Sequence, residues 1–148
     1  MPTEPRPREE TLREWVRANE VCWEIAPHYE VHEHVRLPVG FDLTLFARRP
    51  AACTSDPGCA ACAEAHEVLR EIALAVLPRD VHCEIEPFDA AFHLRPENRW
   101  EPELDLVVEV LHEGTFETAD AGERDRAKAV TDALVQLGAQ PRVWRRAR

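Results

Sequence analysis

The sequence lacks any apolar run that approaches the roughly 20 residues of a membrane-spanning helix, and it lacks an extended basic stretch. Acidic residues outnumber basic ones 28 to 18, which gives a formal net charge of −10. Because this charge repels phosphate backbones and anionic lipid, we expect neither nucleic acid nor a membrane as a partner. No Gly-rich phosphate loop or Ser-centred nucleophile elbow is present either. These absences exclude the common nucleotide-binding and hydrolase motifs.

The first ten residues are rich in proline and charge, and they lack the apolar core of a secretory signal. We therefore expect residues 1–10 to be a polar, flexible leader and residues 11–148 to form a single domain. A chain of 148 residues is an ordinary length for one hydrophobic core. The same reasoning predicts a cytoplasmic location, in which the five cysteines would stay reduced.

Hydrophobic periodicity predicts helices and strands in the order helix, strand, helix, strand, strand, helix and a closing strand. The stretch from Tyr29 to Ala47 reads as one bent strand or as a hairpin. Asp56 and Pro57 are a favoured start for the second helix, and Gly138 is a favoured end for the third. The predicted elements cover about residues 12–23, 29–47, 57–77, 81–85, 104–111, 120–137 and 140–146.

This order predicts an α+β fold with an extra N-terminal helix. We expect a two-layer α/β sandwich whose helices pack on one face of an antiparallel or mixed sheet. The split β-α-β, ferredoxin-like arrangement is the principal expectation, and a thioredoxin-like fold is the alternative.

Three cysteines stand close together at the start of the predicted second helix. Cys53, Cys59 and Cys62 have the spacing C-x5-C-x2-C, and His66 follows Cys62 by four residues. Positions 59, 62 and 66 share one helical face, so two thiols and an imidazole can converge. Thiolates with an imidazole suit a tetrahedral structural zinc site, in which His66 or Cys83 would be the fourth ligand. The sequence therefore favours a zinc-binding module over an enzyme.

Thiol–disulfide exchange is the second interpretation of this cluster. The strand Phe41–Phe46, the motif Cys59-Ala60-Ala61-Cys62, the following helix and the strand from Val81 resemble the first β-α-β unit of thioredoxin and glutaredoxin proteins. Cys59, which is nearer the helix start, would then be the nucleophile and Cys62 the resolving thiol, because a helix N-terminus stabilises thiolate. A third interpretation is plain burial, since cysteine behaves as a small hydrophobe.

Two further groups of residues are candidate sites. His32 and His34 would share one face of a strand, and they form a weaker candidate metal site. Arg95, Arg99 and Trp100 lie in a polar segment that contains two prolines, and they are candidate contacts for an anionic ligand or a protein partner in a metal-free binding domain. The simpler interpretations are an exposed polar strand and a loop anchored by one buried tryptophan. The predicted C-terminal edge strand adds a homodimer to these expectations.

Overall fold

The computed structural model describes residues 7–48, 50–52, 59–78, 83–85, 105–114 and 122–142. Within these ranges the chain forms three helices and five strands, and the strands make one mixed sheet. The helices are α1 (Pro7–Ala18), α2 (Ala60–Val76) and α3 (Glu123–Gln136). The strands are β1 (Cys22–His32), β2 (Val35–Arg48), β3 (Glu84–Ile85), β4 (Asp105–Glu113) and β5 (Gln140–Pro141). The α+β class is therefore confirmed.

The sheet order is β3-β4-β2-β1-β5. Strands β3, β4, β2 and β1 are antiparallel to their neighbours, and β5 runs parallel to β1. Strands β2 and β3 consequently point the same way with β4 between them, and α2 connects them. Strands β4 and β5 also point the same way, with β2 and β1 between them, and α3 connects those two. Both connections therefore cross at least one intervening strand.

The hydrophobic core lies between the helices and one face of this sheet. Helix α2 packs on β4 and β2, and α3 packs on β2 and α2. Alternate side chains of the central strands enter this core because successive strand residues face opposite sides. The fully buried members of this core from β2, β4, α2 and α3 include Phe41, Leu43, Leu45, Val110, Cys62, Leu69, Ile72 and Leu134. None of the helices in the described ranges has the length and apolar composition needed to cross a bilayer.

The segment predicted as one bent strand or a hairpin is a hairpin. Its turn consists of Glu33 and His34, both with left-handed backbone (φ 48° and 69°). The predicted break at Pro38–Gly40 does not end the strand, and it coincides instead with a shift in the β1–β2 register. Strand β2 nevertheless continues through the shift, with exposed or half-buried residues before it and mostly buried residues after it.

Helix α1 differs most from its predicted bounds. It begins at Pro7, within the segment expected to be a flexible leader, and ends at Ala18 instead of Trp23. Leu12 and Val16 still pack into the core, as their periodicity predicts. Trp23 belongs to β1, where it pairs with Leu45. The periodicity failed at this end because one apolar residue fits a helical stripe and an alternating strand equally well.

Candidate cysteine and histidine site on helix α2

The candidate site is built on the first two turns of α2. The helix begins at Ala60, and Cys59 is its N-cap, with extended backbone (φ −60°, ψ 105°) and no side-chain capping hydrogen bond. The amide of Ala63 donates to the Cys59 carbonyl at 3.1 Å, which closes the first turn. The predicted start at Pro57 is therefore wrong by three residues, because the extended Cys59 ends any helical continuity before Ala60; Asp56 and Pro57 themselves lie outside the described residues. Cys59 and Cys62 thus occupy the N-cap and third helical positions, whose side chains are neighbours at a helix start.

All three described members of the cluster are buried. Cys59 is 3% exposed, Cys62 is 0% exposed and His66 is 3% exposed. In the part of the chain that the structure describes, His66 and Thr44 are the only buried residues with polar or charged side chains. A histidine in an apolar core is unusual unless its nitrogens have a specific role, because burying a polar group has a free-energy cost.

Burial lowers the pKa of His66 below its ordinary value of 6.5, because desolvation disfavours the imidazolium ion. The neighbouring carboxylate of Glu67 raises this pKa and the guanidinium of Arg70 lowers it, but both effects are smaller than that of desolvation. The imidazole of His66 is therefore held in its neutral form at neutral pH. Neutral imidazole is also the form that ligates metals.

The described side chains do not by themselves enclose a metal. No three His, Cys, Asp or Glu residues within the described ranges come together as a metal-binding group. Cys53, the third thiol of the predicted cluster, lies outside those ranges. The described cysteines Cys22, Cys59, Cys62 and Cys83 form no disulfide with one another. Cys59, Cys62 and His66 therefore lie buried along the first two turns of α2, but they do not converge as a metal-binding group.

Cys83 lies away from this segment. Glu84 pairs with Leu111, so Cys83 is beside the end of β4 that carries His112, whereas β2 ends at Arg48 at the opposite end of the sheet. Helix α2 joins the end of β2 to the start of β3, and its 17 residues span about 25 Å. We therefore expect roughly the length of α2 to separate Cys83 from Cys59. Desolvation raises the pKa of the Cys83 thiol to about 11, as expected of a thiol packed against an apolar core.

The other predicted sites have different outcomes. His32 is the last residue of β1 and His34 is in the turn, so the strand alternation assumed for this pair does not apply. The Nε2 atom of His32 instead lies 3.0 Å from a carboxylate oxygen of Glu30. The three contact candidates Arg95, Arg99 and Trp100 lie outside the described residues.

Sequence periodicity missed one contact, between Cys22 and the end of the described chain. Arg142 places its guanidinium 4.6 Å from the ring centre of Phe46 and donates from Nη1 to the Cys22 sulfur at 3.8 Å. Cys22 and Arg142 are 120 positions apart, so no local sequence pattern could have predicted this contact. Phe46 is fully buried on the sheet face opposite the helices, since its neighbours Leu45 and Ala47 are part of the helix-side core.

Comparisons with protein-family models, with curated proteins and with solved structures gave no match to this chain.

Proposed function

We propose that this protein is a zinc-binding module whose metal is held by Cys53, Cys59, Cys62 and His66. The metal would be structural, joining the segment before α2 to the first two turns of that helix. The observation that carries the proposal is the shared burial of two thiols and one neutral imidazole in that stretch of helix.

The chemistry of these side chains supports zinc over other common metals. Zinc takes thiolate and imidazole ligands in closed tetrahedral sites, whereas calcium and magnesium take oxygen ligands. A closed site excludes water, which agrees with thiols exposed by 3% or less. Because Cys59, Cys62 and His66 do not form a metal-binding group by themselves, the proposal requires Cys53 as a further ligand and a rotation of these side chains that brings the four donors together. Cys83 is left out, since the sheet topology puts it near the other end of α2.

We also infer that the domain is a ferredoxin-like sandwich with one inserted strand. Without β1, the order β3-β4-β2-β5 and the two helical crossovers are those of a β-α-β-β-α-β chain. Strand β1 would be an addition between β2 and β5, and α1 a further N-terminal addition. Thiolate ligation is compatible with a reducing compartment, so we retain the cytoplasm as the proposed location.

Elemental analysis of protein purified without a histidine tag or chelator tests the metal proposal. We expect about one zinc per chain in the natural protein and a large loss of zinc in Cys59→Ser and Cys62→Ser. Cys22→Ser and Cys83→Ser are matched controls, because they remove a thiol elsewhere in the fold and should retain zinc. Chelator treatment should also lower the melting temperature, since the metal's binding free energy contributes to folding.

Metal-free protein with an unchanged melting temperature in chelator would contradict the proposal. So would equal zinc loss from all four serine variants, because that pattern indicates general unfolding. Cobalt substitution gives an independent reading, since thiolate-to-cobalt charge transfer reports sulfur ligands directly. Cys53→Ser should weaken that absorption and Cys83→Ser should not.

A dithiol oxidoreductase is the second candidate, and the N-cap position of Cys59 favours it. Unpaired amides and the helix dipole stabilise a thiolate at this position. In the reaction, Cys59 attacks a substrate disulfide and releases one substrate thiol. Cys62 then attacks the mixed disulfide, so the Cys59–Cys62 disulfide forms and the second substrate thiol leaves.

Alkylation rates separate the two candidates. An oxidoreductase requires Cys59 in the metal-stripped protein to react with iodoacetamide at neutral pH faster than Cys22 does. It also requires a reversible Cys59–Cys62 disulfide in a glutathione redox buffer. Slow alkylation without disulfide formation excludes this candidate and leaves the zinc proposal unaffected.

A further inference from the structure

The far half of the β1–β2 hairpin extends beyond the rest of the sheet. Strand β4 pairs with β2 only over Gly40–Arg48, and β5 pairs with β1 only at Cys22 and Trp23. Among the described strands, Tyr29–His32 and Val35–Pro38 therefore pair only with each other; we call these eight residues the ribbon. A two-stranded ribbon has little stability by itself in water.

The ribbon also concentrates exposed apolar surface. Five large hydrophobic side chains of the described residues are exposed, and three belong to the ribbon: Tyr29 at 37%, Val31 at 61% and Val35 at 51%. The other two, Leu74 and Val135, lie on helices α2 and α3. The ribbon thus exposes more large hydrophobic side chains than either of these helices does.

Alternation gives the ribbon two different faces. Tyr29 and Val31 are opposite Pro38 and Arg36, and the guanidinium of Arg36 lies 3.9 Å from the ring centre of Tyr29. The other face, which we call the histidine face, consists of Glu30 and His32 from β1 and their partners Leu37 and Val35 from β2. It combines an apolar pair with an adjacent acid and imidazole that contact each other at 3.0 Å.

The edge of β1 is poorly suited to adding another strand. The carbonyls of Val21 and Trp23 accept hydrogen bonds from Gln140 and Arg142, so odd-numbered residues of β1 up to the register shift direct their backbone groups outward. Pro27 occupies one of these outward positions and has no amide hydrogen to offer. Proline on an edge strand is a common device against edge pairing. Strand addition is therefore disfavoured along the part of β1 that leads to the ribbon, and the faces of the ribbon are the other surface open to a partner.

We propose that the histidine face docks on the same face of a second copy of this chain. Glu30 and His32 are two positions apart on β1 and share one face. A two-fold arrangement with antiparallel strands therefore places Glu30 against His32 of the partner subunit and His32 against Glu30 of the partner subunit. The same arrangement brings the Val35 and Leu37 pairs together. The opposite face offers no such pair of polar groups, because Arg36 is its only charged residue and the same arrangement would set it against Pro38 of the partner subunit.

The size of this surface determines the strength of the dimer. Four side chains per copy cover less than the roughly 1,200 to 2,000 Å² that a stable interface buries. The net charge of −10 on each copy adds repulsion. The dimer is therefore weak and forms only at high protein concentration.

Sedimentation equilibrium from micromolar to near-millimolar protein tests the proposal. We expect a reversible monomer–dimer equilibrium whose dissociation constant rises about tenfold or more in Val35→Lys, since a buried lysine in a small interface opposes association. Val31→Lys is the matched control, because Val31 lies on the same ribbon but on the other face. Val135→Lys on α3 is the second control, and both should stay within about twofold of the natural protein.

A charge exchange tests the specific pairing. Glu30→Lys should weaken the dimer, and the double variant Glu30→Lys with His32→Glu should restore it. Circular dichroism establishes that each variant is folded. A natural protein that stays monomeric throughout would overturn the proposal. Equal weakening by Val31→Lys and Val35→Lys would also overturn it, because the histidine face would then have no special role.

Discussion

Replacement of Gly40 by alanine is the sharpest test of the register between β2 and β4. A Cβ atom at this position would lie 2.0 Å from the carbonyl oxygen of His112 and 3.1 Å from the Cα of Glu113. Both obstacles are backbone atoms of the adjacent strand, so rotation of a side chain cannot relieve the clash. Gly40 is the first residue of β2 that pairs with β4, where it lies opposite Glu113.

This geometry determines how much Gly40→Ala should lower the free energy of unfolding. The carbonyl of His112 must move away by about 1 Å or more to reach ordinary contact distance, and this movement disturbs the adjacent bond from the Gly114 amide to the Val39 carbonyl at 2.7 Å. Loss of two such bonds at about 1 to 2 kcal/mol each gives an expected total of roughly 2 to 4 kcal/mol. For a domain of this size that corresponds to a fall of about 5 to 15 °C in melting temperature.

Gly138→Ala is the matched control for this experiment. Gly138 has a φ of +94°, but the nearest atom to its added Cβ is Cγ1 of Val16 at 3.9 Å, so the change introduces backbone strain without a clash. We expect about 1 to 2 kcal/mol for this strain. Urea unfolding followed by circular dichroism measures both variants. A Gly40→Ala protein no less stable than Gly138→Ala would refute the pairing of Gly40 with Glu113.

Three further predictions concern buried groups. Leu69→Ala should lower the free energy of unfolding by about 2 to 5 kcal/mol, because Leu69 is fully buried. Leu74→Ala on the same helix should change it by less than about 0.5 kcal/mol, because Leu74 is exposed. Urea unfolding measures both variants, and similar costs would contradict the orientation of α2. The pKa of Cys83 at about 11 predicts very slow alkylation in native protein at neutral pH, and mass spectrometry showing rapid modification would count against its burial. The pKa of His66 is lowered on folding, so the unfolded chain binds more protons than the folded chain does as the pH falls. The contribution of His66 to stability is therefore complete above about pH 6.5. It falls as the pH drops through this value towards the lowered pKa of the folded state. Unfolding of metal-stripped protein between about pH 7.5 and 5 should show this loss, His66→Leu should reduce it, and an identical slope in both proteins would exclude it.

Hydrophobic periodicity, proline and glycine predicted β4 and the ends of α2 and α3. The strand expected over Leu104–Leu111 is β4, and the third helix ends next to Gly138, whose left-handed backbone fits the predicted cap. Pro78 follows the end of α2, as expected from the effect of proline on the preceding residue. The position of the hairpin turn was not predicted, because Glu33 and His34 lack the glycine or asparagine that marks most two-residue turns with left-handed backbone.

The candidate site was predictable in part. The spacing of Cys59, Cys62 and His66 placed them on one helix, and the structure adds that all three are buried. The sequence also offered Cys83 as an equivalent fourth ligand, and only the crossover from β2 to β3 separates it from the others. The pair His32 and His34 failed as a strand pair because the turn begins directly after His32.

The sequence by itself determined most of the helical and strand segments, although not the first half of β1, because periodicity, proline and glycine act within a few residues. Only the tertiary structure decided that β1 lies between β2 and β5, that the hairpin extends past β4, and that Arg142 contacts Cys22. These features depend on contacts between residues far apart in the chain, where many arrangements satisfy the same local pattern. The cysteines illustrate both levels, since their spacing is local and their burial is a property of the assembled core.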